Sequence, residues 1–352
     1  MILAFDRPAS PIGHRRNPVG LAAQAALPPR ADVAIVGGGL IGLSIAWRLA
    51  QAGRSVVVVE RDTIGAGASL AATGMLAPAA EHEPGSDPLL PLALESLRLW
   101  PAFRDALEAE TGLPIDYRPD GTVVVAIGRD EVERLRFRFD LQRRSGLDAT
   151  WLAGTEVRRL EPGLRPSVTA GVHCPLDHQV DPRLVMAALA DACRRAGVIL
   201  MEHTAVTALD WSGGTVTGIR VGDQGVTAGT VVLASGAWSG EGGLLPETLA
   251  LPVRPLKGQS LALRTTARTG TLGRMIWTEQ VHLAPKSDGQ LIVGATVEDC
   301  GFRPGVTAGG LYALLEGARR VLPGIEVKND PATHEPTSTN DKEFYAALKQ
   351  LK

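Results

Sequence analysis

Residues 31–62, ADVAIVGGGLIGLSIAWRLAQAGRSVVVVERD, constrain the fold more than any other part of the chain. Residues 31–36 form a short apolar run bounded by glycine, which is typical of a strand buried on both faces. A GxGxxG motif follows and opens a predicted helix over residues 40–52. A second apolar run at 55–59 predicts the next strand and ends at Glu60. The segment therefore predicts a βαβ unit.

Each glycine of the motif meets a different physical requirement. Gly37 permits the tight turn out of the strand, Gly39 lets the backbone approach a pyrophosphate, and Gly42 lets the helix pack close to the sheet. The first turn of the helix offers unpaired N–H groups and the positive end of its dipole to that anion. Glu60 follows Gly42 by 18 residues, close to the spacing of about 20 that is typical of a ribose-binding carboxylate. The unit predicts a dinucleotide site and leaves open whether NAD or FAD occupies it.

Length and composition limit the remaining possibilities. The chain of 352 residues exceeds the ~250–300 residues at which one core stops growing, so two lobes are expected. The net charge of −2 does not indicate a nucleic-acid or membrane partner, and no apolar run approaches the roughly 18 residues of a transmembrane helix. Three cysteines without a CxxC pair favour the reducing cytoplasm. Residues 1–30 are rich in proline and arginine and predict a disordered extension.

Hydrophobic periodicity divides the rest of the chain into further elements. It predicts helices at 88–111, 129–145, 183–196 and 306–321, and strands within 115–127, 198–235 and 252–298. The small residues of 63–80 predict a loop against which a planar ligand can lie. The run that ends at Gly236 is expected to return to the dinucleotide-binding sheet, and strands within 252–298 are expected to form the floor of a substrate lobe.

A polar stretch at 168–182 invites the interpretation of a metal site. It contains His173, Cys174, Asp177, His178 and Asp181, but no pair has the spacing HExxH or CxxC, and a proline breaks any helix there. We therefore predict no metal site.

Six segments in order resemble the FAD-dependent amine oxidases of the D-amino acid oxidase type, and among them the bacterial glycine oxidases of thiamine biosynthesis. The resemblance spans roughly residues 31–325 and favours FAD over NAD. The segments are VAIVGGGLIGLSIAWRLAQAGRSVVVVER at 33–61, GASLAATGML at 67–76, HQVDPRLV at 178–185, VVLASGAWS at 231–239, VRPLKGQ at 253–259 and HLAPKSDGQLIVGATVED at 282–299.

The resemblance implies an α/β fold in which a Rossmann-type FAD-binding domain is interleaved with an antiparallel-sheet substrate domain. The FAD-binding domain would comprise residues 31–87 and 145–245, and the substrate domain residues 88–144 and 246–325. The resemblance also implies that FAD is held without a covalent bond, and it places Met75 and His282 beside the substrate. The implied FAD-binding residues are Gly37, Gly39, Gly42, Glu60, Arg61, Ala68, Ser69, Gly74, Met75, Gly236, Lys257, Gly258 and Gln259.

The activity that the resemblance implies is oxidative deamination of glycine or another small amino acid or secondary amine. The second substrate would be O₂, and the products would be an imine or 2-oxo acid, ammonia and hydrogen peroxide, in support of thiazole synthesis for thiamine. The resemblance indicates no nucleic-acid or membrane partner and leaves a homo-oligomer open.

Three departures from the family pattern bear on that activity. His282 stands where the family has a tyrosine, and Val297 stands where it tends to have a larger side chain. From about residue 326 the chain continues as a polar tail without arginine, in place of the strand whose arginine grips the substrate carboxylate. The nearest remaining arginine in a pocket-forming segment is Arg254. An FAD-binding domain with an incomplete C-terminal part is therefore expected, and a truncated, catalytically impaired flavin-binding remnant stays open as the alternative.

Overall fold

The computed structural model describes residues 26–240, 243–264 and 272–325, together with the backbone of residues 2–4. The rest of the predicted extension over 5–25, and the polar tail at 326–352, lie outside the described residues. The described strands, in chain order, are β1 (Ile2–Ala4), β2 (Arg30–Val36), β3 (Val56–Val59), β4 (Met75–Leu76), β5 (Thr122–Ala126), β6 (Thr150–Ala153), β7 (Ala170–Cys174), β8 (His178–Gln179), β9 (Ile199–Met201), β10 (Ala208–Ser212), β11 (Thr215–Val221), β12 (Gln224–Leu233), β13 (Leu261–Arg264), β14 (Met275–Trp277), β15 (His282–Pro285) and β16 (Gln290–Gly294). The described α-helices are α1 (Leu40–Gln51), α2 (Ala68–Ala71), α3 (Leu90–Thr111), α4 (Arg129–Arg144), α5 (Gly154–Leu160), α6 (Pro182–Arg195) and α7 (Ala308–Val321).

The predicted βαβ unit is confirmed and forms the centre of a six-stranded sheet with the order β10-β11-β12-β2-β3-β9. The strands β12, β2, β3 and β9 are parallel, and β10 and β11 add an antiparallel edge. Alternate side chains of β2 pack on opposite faces of this sheet. Ile35 packs against Trp47 of α1 and Leu189 of α6, whereas Ala34 packs against Ile219 of β11. Burial of both faces explains why residues 33–36 of β2 and all of β3 are apolar.

The predicted return of the chain to this sheet is also confirmed. Strand β12 pairs with β2 in parallel along its C-terminal half, with Leu233 opposite Val36. The carboxyl ends of β2, β3 and β12 therefore meet at one edge. In doubly wound sheets this edge is where ligands bind, at the point where the strand order reverses.

The second sheet has eight strands in the order β1-β13-β16-β15-β14-β5-β7-β6 and is antiparallel except between β14 and β5. One face packs on α7 and the segment 157–168, and the other packs on α4 and the loop 77–80. The predicted strands within 252–298 are confirmed as β13 to β16, although residues 252–260 contribute only an isolated bridge. Strands β6 and β7 belong to this sheet although they lie in the range assigned to the FAD-binding domain, and β1 lies in the range predicted to be disordered.

The segment 63–80 was predicted as a loop and is more ordered than that. It contains the short helix α2 and the strand β4, which pairs with β8. Gly74, directly before β4, takes a positive φ of 86°, which glycine adopts readily. Its carbonyl accepts a hydrogen bond from Val180 N, directly after β8, and this bond extends the two-stranded ribbon. None of the helices described combines the length and apolar character needed to cross a bilayer.

Candidate functional site

The glycine turn between β2 and α1 leaves no room for side chains. Gly37 has φ +110°, and a Cβ atom there would collide with the carbonyl of Ala234 at the end of β12. A Cβ on Gly42 would collide with the carbonyl of Gly37, so the helix can approach the turn only without one. Gly38 was not assigned a role from the sequence, yet a Cβ there would collide with Ile64. The run of three consecutive glycines was the signal for it.

Glu60 is held against this turn by backbone donors. Its Oε2 accepts a hydrogen bond from Gly38 N at 2.7 Å, and its Oε1 accepts one from Asp62 N at 2.9 Å. The carboxylate therefore lies at the end of β3 beside the glycine turn. A ribose-binding acid of a dinucleotide site occupies this position.

Two more predicted residues, Arg61 and Gly236, are connected through Trp238. The guanidinium of Arg61 lies 3.7 Å from the centre of the Trp238 ring, which stacks on Phe302 at 5.1 Å. Gly236 has φ +57° and begins the 3-10 turn that carries Trp238 to this place. Trp238 was not assigned a role from the sequence. Its position in the run VVLASGAWS directly after the returning strand could have indicated one.

Ser69 lies at the N-terminus of α1. Its Oγ accepts a hydrogen bond from Leu40 N at 2.9 Å and would lie 3.1 Å from a Cβ on Gly39. The N-cap residue of α1 is Gly39, which has no capping side chain. Ala68 and Ser69 begin α2 next to the turn. A hydroxyl donor and backbone N–H groups therefore converge where the motif predicts a pyrophosphate.

The predicted turn Lys257–Gln259 lies beside the end of β16. Lys257 forms an antiparallel bridge with Glu298, and its Nζ donates to Gly305 O at 2.6 Å. Gln259 is buried and caps α7, because its Oε1 accepts from Thr307 N at 2.9 Å. A Cβ on Gly258 would lie 3.2 Å from Thr296 O, which is tighter than an ordinary van der Waals contact.

His282 and Met75 lie on the face of the eight-stranded sheet that the loop 77–80 covers. The Nε2 of His282 lies 3.1 Å from Thr73 Oγ1, and its ring centre lies 5.5 Å from that of Trp277. Met75 packs in the same apolar cluster as Trp277. Burial lowers the pKa of His282 to about 4, so its imidazole is neutral at physiological pH. The neutral ring can exchange hydrogen bonds but carries no charge for a carboxylate.

Lys286 joins the segments that carry the two predicted substrate residues, and its role was not predicted from the sequence. Its buried Nζ donates to Thr73 O at 2.8 Å, to Val180 O at 2.7 Å and to Gln179 Oε1 at 3.2 Å. Burial lowers the pKa of Lys286 to about 8. Lys286 follows His282 by four residues, and Thr73 precedes Met75 by two. The only sequence signal was a lysine directly after an apolar strand.

Three of the five residues that suggested a metal have other roles, namely Asp177, Asp181 and His178. Asp177 accepts hydrogen bonds from Ala79 N and Ala80 N at 2.9 and 3.1 Å, and burial raises its pKa to about 7. Asp181 caps α6, and His178 Nδ1 lies 2.5 Å from Tyr117 Oη. Within the described ranges, no three His, Cys, Asp or Glu side chains are grouped as metal ligands would be.

Arg254 shares none of the contacts described above for His282. It is exposed and pairs with Asp299 at 2.9 Å. Val297, the other departure from the family pattern, is 79% exposed. The structure therefore gives Arg254 the role of a surface ion-pair partner.

Comparison with known proteins connects this site to a family. The family model described as "FAD dependent oxidoreductase", DAO, matches residues 32–345. The glycine oxidase of Geobacillus kaustophilus (strain HTA426) is 36% identical over 308 residues, which cover 84% of this chain and 78% of that protein. The bifunctional protein ThiO/ThiG of Synechocystis sp. (strain ATCC 27184 / PCC 6803 / Kazusa) is 38% identical over 300 residues, or 84% of this chain and 43% of that longer protein.

The fold agrees with these sequence matches. A crystal structure of glycine oxidase from Geobacillus kaustophilus superposes with a TM-score of 0.79 at 35% identity, covering 85% of this chain and 80% of the other. The α/β fold with two mixed sheets is thus that of a solved glycine oxidase, as the resemblance implied.

Proposed function

We propose that this chain, which belongs to the DAO family of FAD-dependent oxidoreductases, oxidises glycine or another small amino acid or secondary amine. The observation that carries the proposal is the joint placement of two sets of residues. One set, at the carboxyl edge of the six-stranded sheet, suits a dinucleotide, and the other set, around His282, suits a small polar substrate. Relatives and solved structures named glycine oxidase cover more than four fifths of the chain.

The residues at the glycine turn fit FAD. The close packing at Gly37 and Gly42 brings the turn against the first N–H groups of α1, whose N-cap residue, Gly39, has no side chain. Ser69 Oγ accepts the N–H of Leu40 there, and Glu60 is fixed beside the turn. We assign the ADP half to this turn and to Arg61, and the flavin half to Ala68, Ser69, Gly74, Gly236 and the turn Lys257–Gln259. Bound FAD supplies the acceptor for the two electrons that leave the substrate with its α-hydrogen.

The chain's own residues would bind and orient the amine. The hydrogen bond to Thr73 and the contact with Trp277 fix the ring of His282, so its neutral imidazole is available in one orientation. Met75 and Trp277 supply apolar surface, which excludes water and favours the uncharged amine that can be oxidised. Orientation and desolvation are therefore the contributions that we assign to the protein.

The products follow from the balance of the reaction. Removal of two electrons and two protons from the amine gives an imine, and transfer of these to O₂ gives hydrogen peroxide. Water then converts the imine of an amino acid into a 2-oxo acid and ammonia. The relatives named ThiO/ThiG support a place in thiamine biosynthesis. The three free cysteines support a reducing cytoplasmic compartment. We retain the division into an FAD-binding and a substrate domain as part of the proposal.

One observation favours the second candidate, a flavin-binding protein with impaired catalysis. Arg254, the candidate arginine from a segment expected to form the pocket, is exposed and engaged by Asp299 among the described residues. His282 is neutral at physiological pH and cannot replace a charged, bidentate partner of the substrate carboxylate. Weak substrate binding or none would then accompany normal flavin binding.

The two candidates are separated by the visible spectrum of the purified protein under anaerobic conditions. If it is an oxidase, glycine, sarcosine or D-alanine bleaches the flavin absorption, and admitting O₂ restores it with one peroxide for each amine consumed. Acetate, which lacks the amine, is the control and leaves the spectrum unchanged. Flavin bands that persist with all three amines would support the impaired protein. A colourless protein that gains no flavin bands with added FAD would refute both candidates.

A further inference from the structure

We propose that Glu298 is the positioning residue that holds the turn Lys257–Gln259 in its cofactor-binding form and balances the charge of Lys257 there. The inference rests on the proposed function, because only that proposal assigns the turn to the flavin. Nothing in the sequence patterns above singled out Glu298.

Three donors reach this carboxylate, two from the turn and one from the segment after β16. Its Oε1 accepts from Gln259 Nε2 at 2.5 Å and from Thr296 Oγ1 at 2.6 Å, and its Oε2 accepts from Lys257 Nζ at 3.2 Å. These hydrogen bonds lower the pKa of Glu298 to about 2, with those from Thr296 and Gln259 contributing most. The group is therefore a carboxylate at neutral pH. Both ends of the turn are tied to one side chain.

Backbone hydrogen bonds also join the turn Lys257–Gln259 to the segment that carries Glu298. Lys257 N donates to Glu298 O at 3.0 Å, and Glu298 N donates to Lys257 O at 2.8 Å. Gln259 N donates to Thr296 Oγ1 at 2.9 Å. Gly258, between the two tied residues, adds no side chain. The turn thus has fixed ends and a bare centre, the form that lets a planar ring approach a peptide backbone.

The hydrogen-bond network around Glu298 extends to the N-terminus of α7. Gln259 Nε2 also donates to Thr307 Oγ1 at 3.0 Å, and Thr307 is the N-cap of that helix. Gly310 is required here, because a Cβ on it would collide with the amide of Gln259. Glu298 is therefore the shared acceptor of a network that joins the turn, the end of β16 and a helix. Loss of its carboxylate would release the turn rather than a single contact.

Charge is the second part of the inference. The side chain of Lys257 is 12% exposed, and its ammonium faces Glu298 and the carbonyl of Gly305. A positive charge near a flavin stabilises its reduced, more negative form, and a carboxylate beside that charge offsets the effect. Replacing Glu298 by a neutral residue is therefore expected to make the flavin easier to reduce.

The test uses full-length protein and two measurements that do not depend on turnover, the Kd for FAD and the reduction potential of the bound flavin. For E298Q we expect a Kd raised by roughly tenfold and a more positive potential. The matched control is D299N, which removes a carboxylate from the adjacent exposed residue that pairs with Arg254. We expect its Kd within about twofold of wild type and its potential unchanged.

A second variant separates position from charge. E298D keeps the carboxylate but shortens the side chain, so it cannot reach all three donors. It is expected to weaken FAD binding several-fold while leaving the potential near that of wild type. It also serves if E298Q fails to fold, which urea unfolding of the protein without FAD will detect.

Three outcomes overturn the inference. They are FAD binding by E298D and folded E298Q as tight as that of wild type, equal effects of E298Q and D299N, and a potential that E298Q shifts to a more negative value. A wild-type protein that does not bind FAD overturns the proposed function as well. That result differs from the first three because it appears before any substitution is made.

Discussion

At the scale of single residues, His282 shows how burial decides what an ionisable group can do. The ring contacts Thr73 and Trp277 and has lost most of its water, so its folded pKa of about 4 lies below the ordinary value of 6.5. A group that binds its proton less tightly when folded draws the equilibrium toward the unfolded state as it is protonated. Stability from this histidine is therefore present above pH 6.5 and falls as the pH is lowered toward 4.

This sign gives a prediction for H282Q. Between pH 7 and pH 4.5, the unfolding free energy of wild type should fall by about 1–2 kcal/mol more than that of H282Q, which has no proton to gain. Urea unfolding at the two pH values measures the difference. H203N is the control, because His203 is exposed, and it should follow wild type. Equal falls for wild type and H282Q would show that His282 titrates as it does in water.

Residues whose role is local were predictable from the sequence, and those whose role depends on distant partners were not. The positions of Gly37, Gly42 and Glu60 follow from spacing, because turn, helix and strand within 30 residues fix their backbone. Lys286 and Glu298 receive their roles from residues 213 and 41 positions away in the chain. No local pattern contains such a contact.

At the scale of elements, Lys286 joins β15 to the segment that leads into β4. Its side chain replaces hydrogen bonds that the carbonyls of Thr73 and Val180 would otherwise make with water. Val180 O also requires glycine at position 74, since a Cβ there would collide with this oxygen. The buried ammonium of Lys286 and the hydrogen bond between Thr73 and His282 thus together hold the strand that carries His282 against the segment that carries Met75.

We expect K286M to lower the free energy of unfolding by about 2–3 kcal/mol, because it leaves two buried carbonyl groups without a donor. Urea unfolding at pH 7 measures this cost. S287A is the neighbouring control. Ser287 donates to Asp116 at the exposed surface, so its loss should cost well under 1 kcal/mol. A K286M protein as stable as S287A would mean that water replaces the lysine.

Most helices and strands were predictable because their hydrophobic period is long and regular. The helices α1, α3, α4, α6 and α7 lie within two residues of the predicted bounds at each end. The segment 63–80 was predicted less well, because small residues have no period and α2 and β4 form only against neighbouring segments. Residues 252–260 alternate like a strand in sequence, but the structure assigns no strand there. Their hydrogen bonds go instead to Glu298 and Thr296.

At the scale of the whole molecule, the residues assigned to FAD lie on both sheets. The glycine turn and Glu60 belong to the six-stranded sheet, whereas the turn Lys257–Gln259 leads into β13 of the eight-stranded sheet. A ligand that reaches both should stabilise the folded chain more than a ligand that reaches one. This separation could be predicted from the order of the motifs, whereas the joining of β5 to β14 across 150 residues could not.

Thermal unfolding with matched ligands tests this expectation. At the same concentration, FAD should raise the Tm more than ADP, which lacks the flavin, and more than riboflavin, which lacks the ADP half. A ligand at 100 times its Kd contributes ~2.7 kcal/mol to stability, so a lower Kd appears directly as a larger shift. A shift with ADP as large as that with FAD would place the whole binding energy at the glycine turn.

The position of β2 between β3 and β12 also determines when the six-stranded sheet can be completed during synthesis. Strand β3 follows β2 closely, but β12 begins only at Gln224. At the usual ~5–20 residues per second of synthesis, the second edge of β2 stays open for about 10–40 s. An open apolar strand edge is a template for pairing with other chains. Until β12 has been synthesised, the edge of β2 that it covers is therefore exposed to pairing with other chains.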